Sequence, residues 1–468
     1  MDEQLSEFGK LFTRFLQAAV EAEPDTEPPF AVIVREHLGA DPREIPIIGE
    51  EVHAWDQVNL QLALEALFER DGRSVKLVGI GGHQSRHMSL MLSDLIGSTY
   101  VTPASIEYEN LPVGPSRSHP CMTRGLALLS SLEGPAAILV HPAEQHRPGR
   151  TDLGVEVMTP VAGLAPKLLA ELRELMRERN VFRGQVVSLE STMWGGTEVV
   201  FHERPSLDRD DVILPENVLR DIERHTLLVG ERAGALLAAR RHLKRGLLLY
   251  GAPGTGKTHT VRWITAELEE TTVIVLSGGS LGAVGPVCRL ARELAPSLLV
   301  LEDVDLVAGE RTMRGQGGPL LFELLNELDG MADDADVAVV LTSNRPELLE
   351  PALAARPGRV DLAVEIPLPD ADCRRRLFDL YARGMALELA DRDAVISRTN
   401  GVTASFFREL LRQALLEAVE HDSGVVRDEH VAAGLDRLLS TTNEMTRVLL
   451  GATPHRGAAG FRRPEDAF

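Results

Sequence analysis

Gly251-Ala252-Pro253-Gly254-Thr255-Gly256-Lys257-Thr258 satisfies G-x-x-x-x-G-K-[ST] at every fixed position. Leu247-Leu248-Leu249-Tyr250 reads as a short buried strand leading in, and Thr258 to Leu268 as a helix leading out. A strand, a glycine-rich turn and a helix N-terminus aim successive backbone N–H groups at one point, where a polyphosphate can sit. Glycines let the backbone approach that ligand without side-chain clash. Lys257 then reaches the β- and γ-phosphates, and the Thr258 hydroxyl ligates Mg²⁺. The stretch from Gly251 to Thr258 is therefore expected to bind ATP or GTP with Mg²⁺.

The 468 residues allow roughly three domains of ~150 residues each. A net charge of −21 argues against a broad polynucleotide-binding surface, though it leaves room for a local basic pore. Cys121, Cys288 and Cys373 are widely spaced and form neither a disulfide framework nor a zinc set, which points to a reducing compartment. The opening Met1-Asp2-Glu3-Gln4 lacks the basic-then-apolar pattern of a signal peptide. No apolar run approaches the ~20 residues of a membrane helix. A cytoplasmic protein with no membrane partner is expected.

Upstream of the phosphate loop the pattern is mixed. Leu5, Phe8, Leu11, Phe12, Phe15 and Leu16 recur at helical spacing, and Glu21 to Pro29 is an acidic, proline-bearing break. Leu60 to Leu67 and Pro166 to Asn180 read as helices, Val75 to Val78 and Ala136 to Val140 as strands, and His141 to Leu153 as a polar loop. Val186–Leu189 and Thr197–Phe201 flank Trp194-Gly195-Gly196, a hairpin signal. The charged, proline-containing stretch Glu203 to Asp211 reads as a linker, so residues 1–210 form a mixed α/β N-terminal region. From 211 to 368 strands and helices alternate, the sign of a parallel sheet wrapped by helices. Its strands are Leu247–Tyr250, Val273–Leu276, Leu298–Leu301, Ala338–Thr342 and Leu362–Ile366. Residues 369–441 read as helical throughout, and 442–468, rich in glycine and poor in apolar residues, as disordered.

Three further groups carry chemistry. Ser297-Leu298-Leu299-Val300-Leu301-Glu302-Asp303 is an apolar strand closing in two carboxylates. One of these can hold Mg²⁺ while the next polarises an attacking water. The following strand ends in Thr342-Ser343-Asn344-Arg345-Pro346, where the Asn344 amide can orient water. An Asn-x-Pro alone is commonly just a turn; its place after the acid strand gives it weight. Arg356 and Arg359, in Arg356-Pro357-Gly358-Arg359, can each fork onto phosphate oxygens.

Together GAPGTGKT, LLVLEDVD, TSNRP, PALAARPGRVD and Gly401-Val402-Thr403-Ala404 resemble the AAA branch of the AAA+ ATPases over residues 212–440. The resemblance implies a P-loop NTPase with a parallel sheet and a small helical lid, assembled as a homo-oligomeric ring, usually a hexamer. It implies Asn344 as the sensor residue, Arg356 and Arg359 as fingers reaching the neighbouring subunit's ATP, and Ala404 as the lid residue approaching the nucleotide. The chain is also similar, more loosely, to actinobacterial proteins with their own N-terminal domain and to the mitochondrial translocase branch that handles a Rieske protein. The usual acid order, Asp then Glu, is reversed here. By position, Glu302 takes the metal role with Thr258, and Asp303 the water-polarising role. Polypeptide-threading members carry an aromatic–aliphatic–Gly pore loop. The matching stretch Ser277 to Gly285 has no aromatic, and Leu281 is its only sizeable candidate for a grip, with a flexible turn that grips nothing as the alternative. Gly309 to Gly318 is a candidate second pore element, and its Arg311 and Arg314 read equally well as solvated side chains.

Two motifs have blander readings. His83 and His87 stand at i and i+4, a metal-binding spacing, but with no HExxH glutamate and no evident third ligand they read as helix-surface histidines. Arg240 to Arg245 is a basic run that reads as a solvated face rather than a phosphate contact. The expected function is an ATP-hydrolysing ring that remodels or translocates a protein client. An ATP-gated scaffold without threading is the alternative, and a nucleic-acid-acting ATPase is disfavoured by charge.

Overall fold

The computed structural model describes residues 27–82, 90–143, 152–191, 197–306, 335–349 and 360–439. The stripe at 5–20, the His83/His87 pair, the turn at Trp194 and the tail beyond 441 lie outside them. The chain divides into two compact units, residues 1–181 with 191–198 and residues 182–190 with 199–468.

The first unit is built on an antiparallel sheet. Its strands are β1 (Ile47–Val52), β2 (Ser74–Gly81), β3 (Thr102–Ala104), β4 (Glu107–Gly114), β5 (Arg117–Ser131), β6 (Gly134–Pro142) and β7 (Leu153–Met158). They lie in the order β1-β7-β6-β5-β2-β3, with β4 paired to β5. Among the described residues its helices are α1 (Pro29–Leu38), α2 (Gln57–Phe68), α3 (Leu92–Gly97) and α4 (Leu164–Glu178). The apolar run Ala136 to Val140 is continuous because both faces of β6 are covered, so its alternating side chains enter two cores. Ala136, Ile138 and Val140 pack with Leu64, Leu67 and Leu168 from α2 and α4. Ala137 and Leu139 pack with Phe30, Val34 and Leu95 from α1 and α3.

The second unit carries a seven-stranded sheet among the described residues. It comprises β8 (Val186–Ser191), β9 (Thr197–His202), β10 (Arg245–Tyr250), β11 (Thr272–Ser277), β12 (Ser297–Glu302), β13 (Val337–Ser343) and β14 (Leu362–Glu365). The order is β14-β10-β13-β12-β11-β8-β9, and the sheet is parallel from β14 through β8. Two of its strands thus come from upstream of residue 210. Helices α5 (Glu216–Glu231), α6 (Ala233–Ala238), α7 (Lys257–Glu267) and α8 (Val284–Glu293) belong to this part. Leu247, Leu249, Leu298, Val300 and Val340 meet Ile222, Trp263 and Ile264 in its core. The Arg204 guanidinium donates to the carbonyls of Gly184, Thr265, Leu268 and Thr271 at 2.6–3.1 Å. It thereby fills acceptors that α7 leaves open at its C-terminal end.

The helical part contains α9 (Ala371–Ala382), α10 (Arg392–Arg398), α11 (Ala404–Glu420) and α12 (Asp428–Leu439) around Phe378, Phe406, Phe407, Leu410 and Leu435. It is not helical throughout. β15 (Leu387–Glu388) and β16 (Val426–Arg427) pair in parallel, giving the extended stretches beside α9 and α12 partners for their backbone groups. The basic run is also not wholly a solvated face. Arg240 and Arg241 are exposed, but Arg245 is buried, 2.6 Å from Asp336, and donates to the carbonyls of Leu243 and Thr226.

Candidate nucleotide site

Three parallel strands end side by side, and each delivers part of the site. β10 runs into the loop at Gly251, whose N–H donates to Ser343 O at 3.3 Å, tying it to the end of β13. Ile366 N–H donates to Tyr250 O at 2.7 Å on the other flank. Gly251, Gly254 and Gly256 have φ of 152°, 80° and 113°, conformations that glycine alone adopts freely. A Cβ at Gly251 would lie 2.4 Å from Ile366 O, and one at Gly254 would lie 2.4 Å from Ser405 Oγ. Backbone thus shuts out a side chain at Gly251, while at Gly254 the Ser405 hydroxyl would have to swing away and the positive φ would be strained.

Lys257 opens α7 and is buried, its Nζ donating to Gly251 O at 2.8 Å and Ala252 O at 3.0 Å. Burial pulls the ammonium below the ordinary lysine range, and the Asp303 and Asp305 carboxylates oppose that shift. Burial pushes Glu302 above the ordinary carboxylate range; a hydrogen bond from Thr258 works against this and the Asp303 charge adds to it. Thr258 and Glu302 thus form a hydroxyl–carboxylate pair of hard oxygen donors, which fits Mg²⁺.

Asp303 lies one residue past β12 with φ 50°. Its N–H donates to Thr342 Oγ1 at 3.0 Å, and its Oδ1 accepts from Asn344 Nδ2 at 3.1 Å. Asn344 N–H in turn donates to Asp305 Oδ1 at 3.1 Å. The structure therefore brings together Gly251 to Thr258, Glu302, Asp303 and Asn344. Thr342 and Asp305, which the motif reading passed over, hydrogen-bond to Asp303 and Asn344 respectively. Asp305 had a signal, a third acid two places beyond Asp303 in a segment that leaves a buried strand.

Ala404 is the first residue of α11, and its neighbour Ser405 donates its N–H to Gly254 O at 3.1 Å. The start of that helix abuts the phosphate loop, with Thr403 Oγ1 and Ser405 Oγ 2.9 Å apart beside it. Leu281 is only 4% exposed, within a 3-10 helix over Gly278–Ala283 whose first turn is closed by Ser277 N–H donating to Ser280 Oγ. It packs inward and is not presented as a grip. Arg356, Arg359 and the loop from Gly309 to Gly318 lie outside the described residues. Among the described residues no group of three or more His, Cys, Asp or Glu is placed to hold a metal ion, and no helix is long and apolar enough to cross a membrane.

Residues 247–368 match the model of the ATPase family associated with various cellular activities (AAA), so this segment is an AAA ATPase domain, built to bind and hydrolyse ATP. Over 214 residues the chain is 31% identical to the Proteasome-activating nucleotidase of Methanothermobacter thermautotrophicus, covering 43% of this chain and 52% of that protein. It is 31% identical over 208 residues to the 26S proteasome regulatory subunit 10B homolog A of Arabidopsis thaliana, covering 42% and 52%. The Proteasome-activating nucleotidase of Methanococcus maripaludis is 25% identical over 298 residues, 58% of this chain and 73% of that protein. The chain spans about half the length of the first two curated relatives.

Proposed function

We propose that the whole chain is an ATP-driven ring that remodels a protein client in the cytoplasm. The observation that carries its ATP-driven part is the set of groups at the ends of β10, β12 and β13: the Lys257 ammonium, the Thr258–Glu302 oxygen pair and the Asp303–Asn344 hydrogen bond. Lys257 would face the β- and γ-phosphates. Thr258 and Glu302 would hold Mg²⁺, whose charge neutralises the developing phosphate charge. Asp303 and Asn344 then orient and polarise water. Arg356 and Arg359 complete the site from the next subunit of a hexamer, as the AAA resemblance implies. The region upstream of β8 chooses the client, the part from β8 to residue 368 hydrolyses ATP, and 369–441 act as the lid. The likeness to proteins named for proteasome activation supports a protein rather than a nucleic acid as client, and so does the net charge of −21.

One observation favours a second reading, an ATP-gated scaffold without threading. The stretch Ser277 to Gly285 has no aromatic, and Leu281 is buried in its own domain. Turnover of the purified chain measured alone, with a permanently unfolded protein and with DNA separates these readings. Stimulation by unfolded protein supports remodelling, stimulation by DNA refutes it, and no response to either supports the scaffold.

A further inference from the structure

We propose that Thr342 is a positioning residue for hydrolysis: its hydroxyl sets the turn that aims the Asp303 carboxylate into the nucleotide site. This rests on the reading of Asp303 as the water-polarising group.

The need for such a device follows from strand geometry. Successive side chains of an extended strand point to opposite faces, so Glu302 and Asp303 would be directed apart if β12 simply continued. Yet both carboxylates are drawn to the same site, Glu302 by the Thr258 hydroxyl and Asp303 by the Asn344 amide. The chain achieves this by leaving the extended region at Asp303, where φ is 50°. Left-handed backbone is unfavourable for a residue with a Cβ, less so for aspartate than for most, and a neighbour that bonds to the turned residue fixes it there.

Thr342 is what holds it. The pairing of β12 with β13 ends at Leu301 opposite Leu341, so the Asp303 amide lies beyond the ladder. Its N–H finds Thr342 Oγ1 instead, at 3.0 Å, on a side chain only 1% exposed. Thr342 is itself fixed, because its backbone lies opposite Leu249 in the β10–β13 pairing. The same strand supplies Asn344 two residues on, and Asp305 pins the Asn344 N–H at 3.1 Å. One strand end thereby grips Asp303 twice, by its backbone through Thr342 and by its carboxylate through Asn344. The grip matters for an aspartate, which is one methylene shorter than a glutamate and has less reach to recover from a misplaced backbone.

The test uses the full-length chain, with kcat and KM for ATP measured in excess Mg²⁺. Thr342→Val keeps the shape and β-branching while removing the acceptor. It should lower kcat about tenfold and leave KM unchanged, the scale expected from losing one hydrogen bond that acts on the reacting group. Thr342→Ser restores the acceptor and should recover most of that loss. Thr342→Ala gives the same split of kcat against KM should the valine chain not fold. In an Asp303→Asn background, Thr342→Val should cost little more, because the carboxylate it positions is already gone. Wild-type kcat in both Thr342→Val and Thr342→Ala, or losses that multiply fully in the double variant, would overturn the proposal while leaving the Asp303 assignment standing. Undiminished turnover in Asp303→Asn alone would overturn that assignment and the proposal with it.

Discussion

Neutralising the two adjacent acids one at a time should separate metal binding from water activation. In Asp303→Asn the amide oxygen can still accept from Asn344 Nδ2, now at 3.1 Å from Asp303 Oδ1, and the backbone N–H can still donate to Thr342. Geometry is conserved and only basicity is lost. A general base is worth 10²–10⁴ in rate; a short, partly exposed aspartate belongs at the lower end, so kcat should fall ~100-fold, or about 2.7 kcal/mol in barrier. ATP affinity should stay near wild type. In Glu302→Gln the oxygen facing Thr258 also survives, but the half-buried charge that attracts Mg²⁺ does not. That variant should need much more Mg²⁺ for half-maximal turnover, with nucleotide binding in EDTA unaltered. Fluorescent-nucleotide binding and phosphate release, each titrated with Mg²⁺, read both effects. If Glu302→Gln instead binds ATP and Mg²⁺ normally and stalls, while Asp303→Asn is the variant that needs much more Mg²⁺, the reversed acid order has reversed the roles and the reasoning from position is wrong.

Other expectations follow from single contacts. Lys257→Ala should abolish turnover by removing the loop's ammonium from the phosphates, and unchanged phosphate release would sink the loop's assignment. Arg359→Ala should bind ATP but hydrolyse it ~10³-fold more slowly, and mixing it with Lys257→Ala should restore some turnover across shared interfaces. A monomeric, fully active chain and an inert mixture would contradict the ring. Arg245→Met should destabilise the second unit by about 3 kcal/mol in urea unfolding. This is the low end for a broken buried pair because Asp336, 20% exposed, can rehydrate. Leu281→Ala should cost about 2–3 kcal/mol of stability, and stimulation by unfolded protein should be unchanged in the variant that stays folded; loss of stimulation alone would restore the gripping role.

Local chemistry made much of the nucleotide site legible. Positive-φ glycines at 251, 254 and 256, a lysine at the helix start and apolar runs closing in acids or an amide are properties of short segments. The pattern at Leu247, Val273, Leu298 and Ala338 sufficed for parallel strands because a strand buried on both faces must be apolar at every position. The long pair β4–β5 was not legible in the same way. Half of it is exposed and it carries Arg117, His119 and Pro120, so no apolar period marks it.

What only the tertiary structure decided is which distant groups meet. Nothing within β8 says that its partner is β11, since hydrogen-bonding edges are common to all strands and the partner is chosen by packing. Arg245 looked like its exposed neighbours until Asp336, ninety-one positions on, supplied its counter-charge. Leu281 looked available until the surrounding fold buried it. Thr342 reads as an ordinary β-branched strand residue, and its hydroxyl acquires a role only because the neighbouring strand stops one residue short of Asp303. The sequence determined the chemistry each segment can perform, because that depends on residues a few positions apart. The tertiary structure determined which segment ends converge, because that depends on the packing of the whole sheet.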